Sequence, residues 1–119
     1  MTTRSWSFTI DCAQDFTPNL DVERQATTTG DYEAYAGITG VTMHLSATEG
    51  GATIHANLSK AASERSAEAG RIYATFDVAD LQTHLLGSPS YRNKTVWLVL
   101  TKSGEMVGKS LACLVTSNG

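Results

Sequence analysis

From Val41 to Leu58 apolar and polar residues alternate along the chain. Val41, Met43 and Leu45 share one face of an extended backbone, and Thr42, His44 and Ser46 share the other. Beyond the Gly50-Gly51 pair, Ile54, Ala56 and Leu58 take the inward positions and Thr53, His55 and Asn57 the outward ones. Successive side chains on a strand point to opposite faces, so this pattern predicts a β-hairpin with one dry and one wet face. The two glycines supply its turn.

The same code runs through most of the chain. Trp6, Phe8 and Ile10 alternate with Ser5, Ser7 and Thr9, and Pro18 marks the turn that follows. Leu20, Val22 and Ala26 form a weaker inward face, on which Arg24 must snorkel, pair or sit at an edge. Thr27 to Gly37 reads as a polar connection carrying Tyr32 and Tyr35, and Ser59 to Gly70 as an exposed one. Ile72, Ala74 and Phe76 mark a further strand with Tyr73 on its opposite face. Asp77 has the chemistry of an N-cap, accepting from the N–H of Ala79 or Asp80, for a short helix Val78–Leu86 striped by Val78, Leu81, Leu85 and Leu86. Gly87, Ser88 and Pro89 end that helix.

Lys94 to Thr101 is apolar on both faces around Trp97 and must therefore be central, covered on each side by the helix, a second layer or a neighbouring subunit. The turn Lys102-Ser103-Gly104-Glu105 leads into a last strand, Met106 to Thr116, in which Gly108 predicts a bulge or a close approach. About seven short strands and one helix make an all-β protein, an antiparallel two-layer sandwich of immunoglobulin-like type, with a small β-barrel as the competing architecture. The antibody-type Cys-Trp-Cys framework is missing.

At 119 residues the chain forms one domain, 1–119, with one core. A formal charge of -3 with scattered basic residues argues against a nucleic-acid surface. The longest apolar run, Val96 to Leu100, is far short of the roughly 20 residues of a membrane-spanning helix. The N-terminus shows no apolar segment followed by a small-residue cleavage site, which predicts synthesis and retention in a cytoplasm until release. In that compartment Cys12 and Cys113 are expected as buried free thiols, although a bridge between the first and last strands is geometrically conceivable.

No motif marks a catalytic centre. His44 faces His55 if the hairpin turns on Glu49-Gly50, and faces Asn57 if it turns on Gly50-Gly51. In the first register two imidazoles could grip a metal, but a zinc site needs a third ligand that the sequence does not offer. His84 falls on the helix and is expected to be exposed. A Cys–His nucleophile would require Cys12 or Cys113 beside a histidine, and both cysteines read as core residues. The expectation is therefore no cofactor, no bound metal and no enzyme.

Aromatic residues offer binding chemistry instead. Tyr32, Tyr35 and Tyr91 lie in connections, where tyrosines stack on sugars, anchor protein interfaces or cap the core. Trp97 and Tyr73 are the leading candidates for partner contact, with edge strands available for β-augmentation.

The segment Ile38-Thr39-Gly40-Val41-Thr42-Met43-His44-Leu45 resembles a Leu-Thr-Gly-x-x-Val-x-Phe type strand of small immunoglobulin-like virion domains of tailed phages. Trp6-Ser7-Phe8-Thr9-Ile10 with Asp15-Phe16-Thr17-Pro18, and Ala69-Gly70-Arg71-Ile72-Tyr73-Ala74-Thr75-Phe76, are similar to other strands of that family. The resemblance implies a structural protein of a tail, baseplate or capsid decoration, with other copies of itself or other virion proteins as partners. A carbohydrate-binding module using Tyr32, Tyr35 and Tyr91 is the second reading, and a metal-dependent enzyme around His44 and His55 the third.

Overall fold

The computed structural model describes residues 6–25, 32–49, 51, 53–66, 68–86, 95–110 and 113–116. Its strands, in chain order, are β1 (Thr9–Asp11), β2 (Asn19–Asp21), β3 (Glu23–Gln25), β4 (Tyr32–Ala34), β5 (Val41–Ser46) and β6 (Ser59–Ala61), then β7 (Ser63–Ser66), β8 (Arg71–Tyr73), β9 (Thr95–Lys102), β10 (Glu105–Lys109) and β11 (Cys113–Thr116). The large sheet runs β1-β11-β9-β5-β6, with β10 continuing the line of β11 along β9. A smaller sheet runs β2-β8-β7, and β3 pairs with β4 as a hairpin. All pairings are antiparallel except β1 with β11.

The protein is an all-β sandwich, and the chain visits the two layers in the immunoglobulin-like order. The sheets do not close on themselves, which removes the barrel alternative.

Alternation explains which face each strand buries. Val41, Met43 and Leu45 of β5, Val96, Leu98 and Leu100 of β9, and Cys113 and Val115 of β11 line the inner face of the large sheet. Leu20, Val22, Ile72, Ala74 and Phe76 meet them from the smaller layer. Each large aliphatic side chain so buried contributes about 1.5–3 kcal/mol. Trp6 and Phe8 pack on the margin of this core, and Phe8, Phe16 and Phe76 form an aromatic run with ring centroids 5.6 and 5.9 Å apart.

The hairpin begins as expected and then departs. Thr53 bridges Ser46 and the N–H of Ile54 reaches the carbonyl of Leu45, but the strand stops there. Nδ1 of His55 accepts the N–H of Asn57 at 3.1 Å and starts a 3₁₀ turn, Ala56–Leu58. This local bond competes with the ladder, and the turn drops Leu58 into the core. Pairing with β5 resumes only at β6, so His44 stands opposite Ser59 and neither His55 nor Asn57. Ser59 to Gly70, expected as a connection, instead supplies β6 and β7, one in each layer, with Ala62 crossing between them.

The helical segment falls where the apolar stripe places it, as α1 (Val78–Leu81) continued by one widened π turn, Gln82–Leu86. Leu81 and Leu85 enter the core between the sheets, so the helix does not cover the Trp97 face of β9. Asp77 makes no side-chain cap bond; Oδ1 of Asp15, 63 residues away, accepts the N–H of Val78 at 2.7 Å. Gly87, Ser88 and Pro89, expected to end the helix, and Ala26 lie outside the described residues.

Cys12 and Cys113 are buried thiols that form no disulfide. Pairing of Thr9 with Leu114 sets Cys113 beside Phe8, four residues before Cys12 and roughly 13 Å along the strands, too far for a disulfide. The final strand is indeed bulged between Met106 and Gly108, and it is also broken after β10. Ser110 bridges the break, its N–H donating to the carbonyl of Leu98 at 2.8 Å and its buried Oγ accepting the N–H of Leu98 at 2.9 Å.

Gly70 holds the point where β2 leaves β8 for the β3–β4 hairpin. Its φ is +71°, and a Cβ there would lie 2.5 Å from the carbonyl oxygen of Val22. Gly70→Ala is expected to lower unfolding free energy by about 2 kcal/mol or more. Gly37→Ala (φ +75°, no atom within 4 Å) should cost only about 1 kcal/mol. Ser110→Ala, which strands a buried N–H, should cost about 1–3 kcal/mol. Urea denaturation of the three variants checks all of these values.

Candidate functional site

Two places concentrate chemistry. The first is the outer face of the large sheet. The six register pairs between β5 and β9 put Thr42 beside Thr101, His44 beside Val99 and Ser46 beside Trp97. These six residues carry no formal charge when His44 is neutral. Burial lowers the pKa of His44 and favours that neutral form. Because its folded value is depressed, the unfolded chain takes up this proton first, and stability declines as pH falls through the ordinary histidine range.

Val99 is 2% exposed although it lies outside the core between the sheets. Trp97 is half-buried. Met106, paired with Thr101, is 51% exposed and is the one large apolar side chain among the described residues that stands in solvent.

The second place is where the 3₁₀ turn meets the helix. The rings of His55 and His84 stack with centroids 3.7 Å apart and planes 12° from parallel. Beside them Oδ2 of Asp80 pairs with Nζ of Lys60 at 3.0 Å, and its Oδ1 accepts from Nδ2 of Asn57 at 3.4 Å. The Lys60 hydrogen bond is the main cause holding the Asp80 carboxyl below its usual range, helped by Asn57 and by the charges of Lys60 and His84. Thus the structure brings His55 to His84, a partner 29 residues on. Nothing in the local spacing announces that contact, because it depends on the strand stopping at Ile54.

Imidazole ligates through lone pairs lying in the ring plane, so two parallel stacked rings cannot direct them at one ion. Among the described residues no group of three or more His, Cys, Asp or Glu is placed to hold a metal. The thiol of Cys12 is shifted up by burial and by the charge of Asp11, the reverse of what a thiolate nucleophile requires. Sγ of Cys113 lies 3.2 Å from Oγ of Ser110 inside the core.

The aromatic candidates separate in space. Tyr73 lies on the outer face of the smaller sheet, the side of the sandwich opposite Trp97. The guanidinium of Arg65 covers its ring at 4.6 Å, and Nε of Arg65 donates to Oδ1 of Asn19 at 3.0 Å. Tyr35 is half-buried against the core, its N–H bonded to the carbonyl of Val22. Tyr32 opens β4 with its side chain outside the described part, and Tyr91 lies wholly outside the described residues.

Asp80→Asn tests the second cluster. A carboxylate with a depressed folded pKa stabilises the fold above its unfolded value and stops doing so as pH falls through the folded one. The variant should melt below the parent at pH 7, and the gap should be smaller near about pH 3, where the carboxylate of the unfolded chain has begun to protonate. Thermal melts at the two pH values check this.

Comparison with protein-family models, with curated proteins and with solved structures gives no match for this chain.

Proposed function

We propose that this chain is a non-enzymatic structural module of a tailed-phage particle, acting through the outer face of its large sheet. The observation that carries the assembly reading is Met106, 51% exposed beside Thr101 on that face, next to the half-buried Trp97 and a strip of uncharged side chains from β5 and β9. Charged residues are depleted in the middle of interfaces because each would have to be desolvated. Trp97 and Met106 add the aromatic and flexible apolar surface that interface centres favour.

The mechanism is burial of this face against a second copy or another structural protein of the particle. No chemical step is needed, and the protonated Cys12 and the stacked histidines fit that view. The phage assignment rests on the sequence resemblance of the Ile38–Leu45, Trp6–Ile10 and Ala69–Phe76 segments.

Sedimentation velocity on the purified chain should show concentration-dependent association. Met106→Glu and Thr101→Glu should each weaken it by about tenfold or more without changing the melting temperature, since a charge is then buried at the contact. Mass spectrometry of purified particles should find the chain at a fixed ratio to the other structural proteins. A chain that stays monomeric and is missing from particles overturns the proposal.

A further inference from the structure

We propose that the stacked His55–His84 pair is an acid-operated latch that holds the Ala56–Leu58 turn against the Val78–Leu86 helix and opens when both rings are protonated. The geometry has two independent sensitivities to protons. Nδ1 of His55 is an acceptor, bonded to the N–H of Asn57 at 3.1 Å, so its ring proton sits on Nε2. A second proton can only go to Nδ1, which turns that acceptor into a donor facing another donor. The turn then loses the bond that caps it.

The other sensitivity is the stack itself. With centroids at 3.7 Å and planes 12° apart, two imidazolium rings would set like charges face to face. One charge is tolerated, because the carboxylate of Asp80 on α1 interacts with His84. That carboxylate is already engaged by Lys60 of β6 and by Asn57 of the turn, so it is poorly placed to neutralise two.

The latch sits where it can affect the sheet. The turn runs directly into β6, the last strand of the large layer, and it carries the fully buried Leu58. Opening therefore loosens one margin of the sheet while the β5–β9 pairing stays intact.

Hydrogen exchange of the full chain at pH 7 and pH 5, corrected for intrinsic rates, tests the latch. In the parent, protection of the Asn57 and Leu58 amides should fall by about fivefold or more at pH 5, the scale of a lost cap. His55→Asn keeps a capping acceptor without a titrating ring and should hold its protection at both values. His84→Gln, which removes the second charge, should show a smaller fall than the parent. Equal loss in the parent and in His55→Asn, or no loss in the parent, overturns the proposal.

Discussion

The pairing of β5 with β9 is the constraint on which the rest of this molecule depends. Six consecutive residue pairs, from Val41 with Lys102 to Ser46 with Trp97, set the register of the large sheet. A slip of β9 by one residue would turn Val96, Leu98 and Leu100 outward and bring Trp97 into the core. Register therefore decides at once which face closes against the smaller sheet and which face remains outside. The hairpin from β9 to β10 supports it: Ser103 and Gly104 both have positive φ, the two-residue turn whose twist matches antiparallel strands.

Around this centre the ladder is repeatedly interrupted, and side chains or special backbone take over at each interruption. Oγ of Ser110 serves Leu98 where the last strand breaks, Oδ1 of Asp15 serves the first N–H of α1, and Nδ1 of His55 serves the 3₁₀ turn. Gly70 lets β2 pass from β8 to the β3–β4 hairpin with its backbone nearly touching that of Val22. A buried N–H or carbonyl without a partner costs more than an ordinary hydrogen bond contributes, which is why each break has its own repair. Among the described residues no buried side-chain polar atom lacks a partner.

The three histidines show how the same residue type acquires different roles from its surroundings. His44, on the regular part of β5, is partly desolvated and held toward its neutral form. His55 ends the pairing of its own segment by bonding its own backbone, and the resulting turn carries it to His84. A β-strand continued through Leu58 would have kept His55 on the sheet, away from the helix. The same turn places Asn57 and Lys60 on either side of Asp80, so an acidic helix residue and two donors from another element become one polar cluster.

Taken alone, the sequence determined the class of fold, the inward residues of β1, β2, β5, β8 and β9, the helix over Val78–Leu86 and an irregularity at Gly108, with a bulge as one of its two readings. Each is written in a period of two or 3.6 residues or in a turn residue, signals that depend on near neighbours only. Only the tertiary structure decided that Asp15 and not Asp77 serves the helix, that β6 and β7 form within a polar stretch, and that His55 meets His84. It also put Trp97 and Tyr73 on opposite sides of the sandwich. These outcomes turn on which strand stands beside which, a relation between residues tens of positions apart that no local pattern encodes.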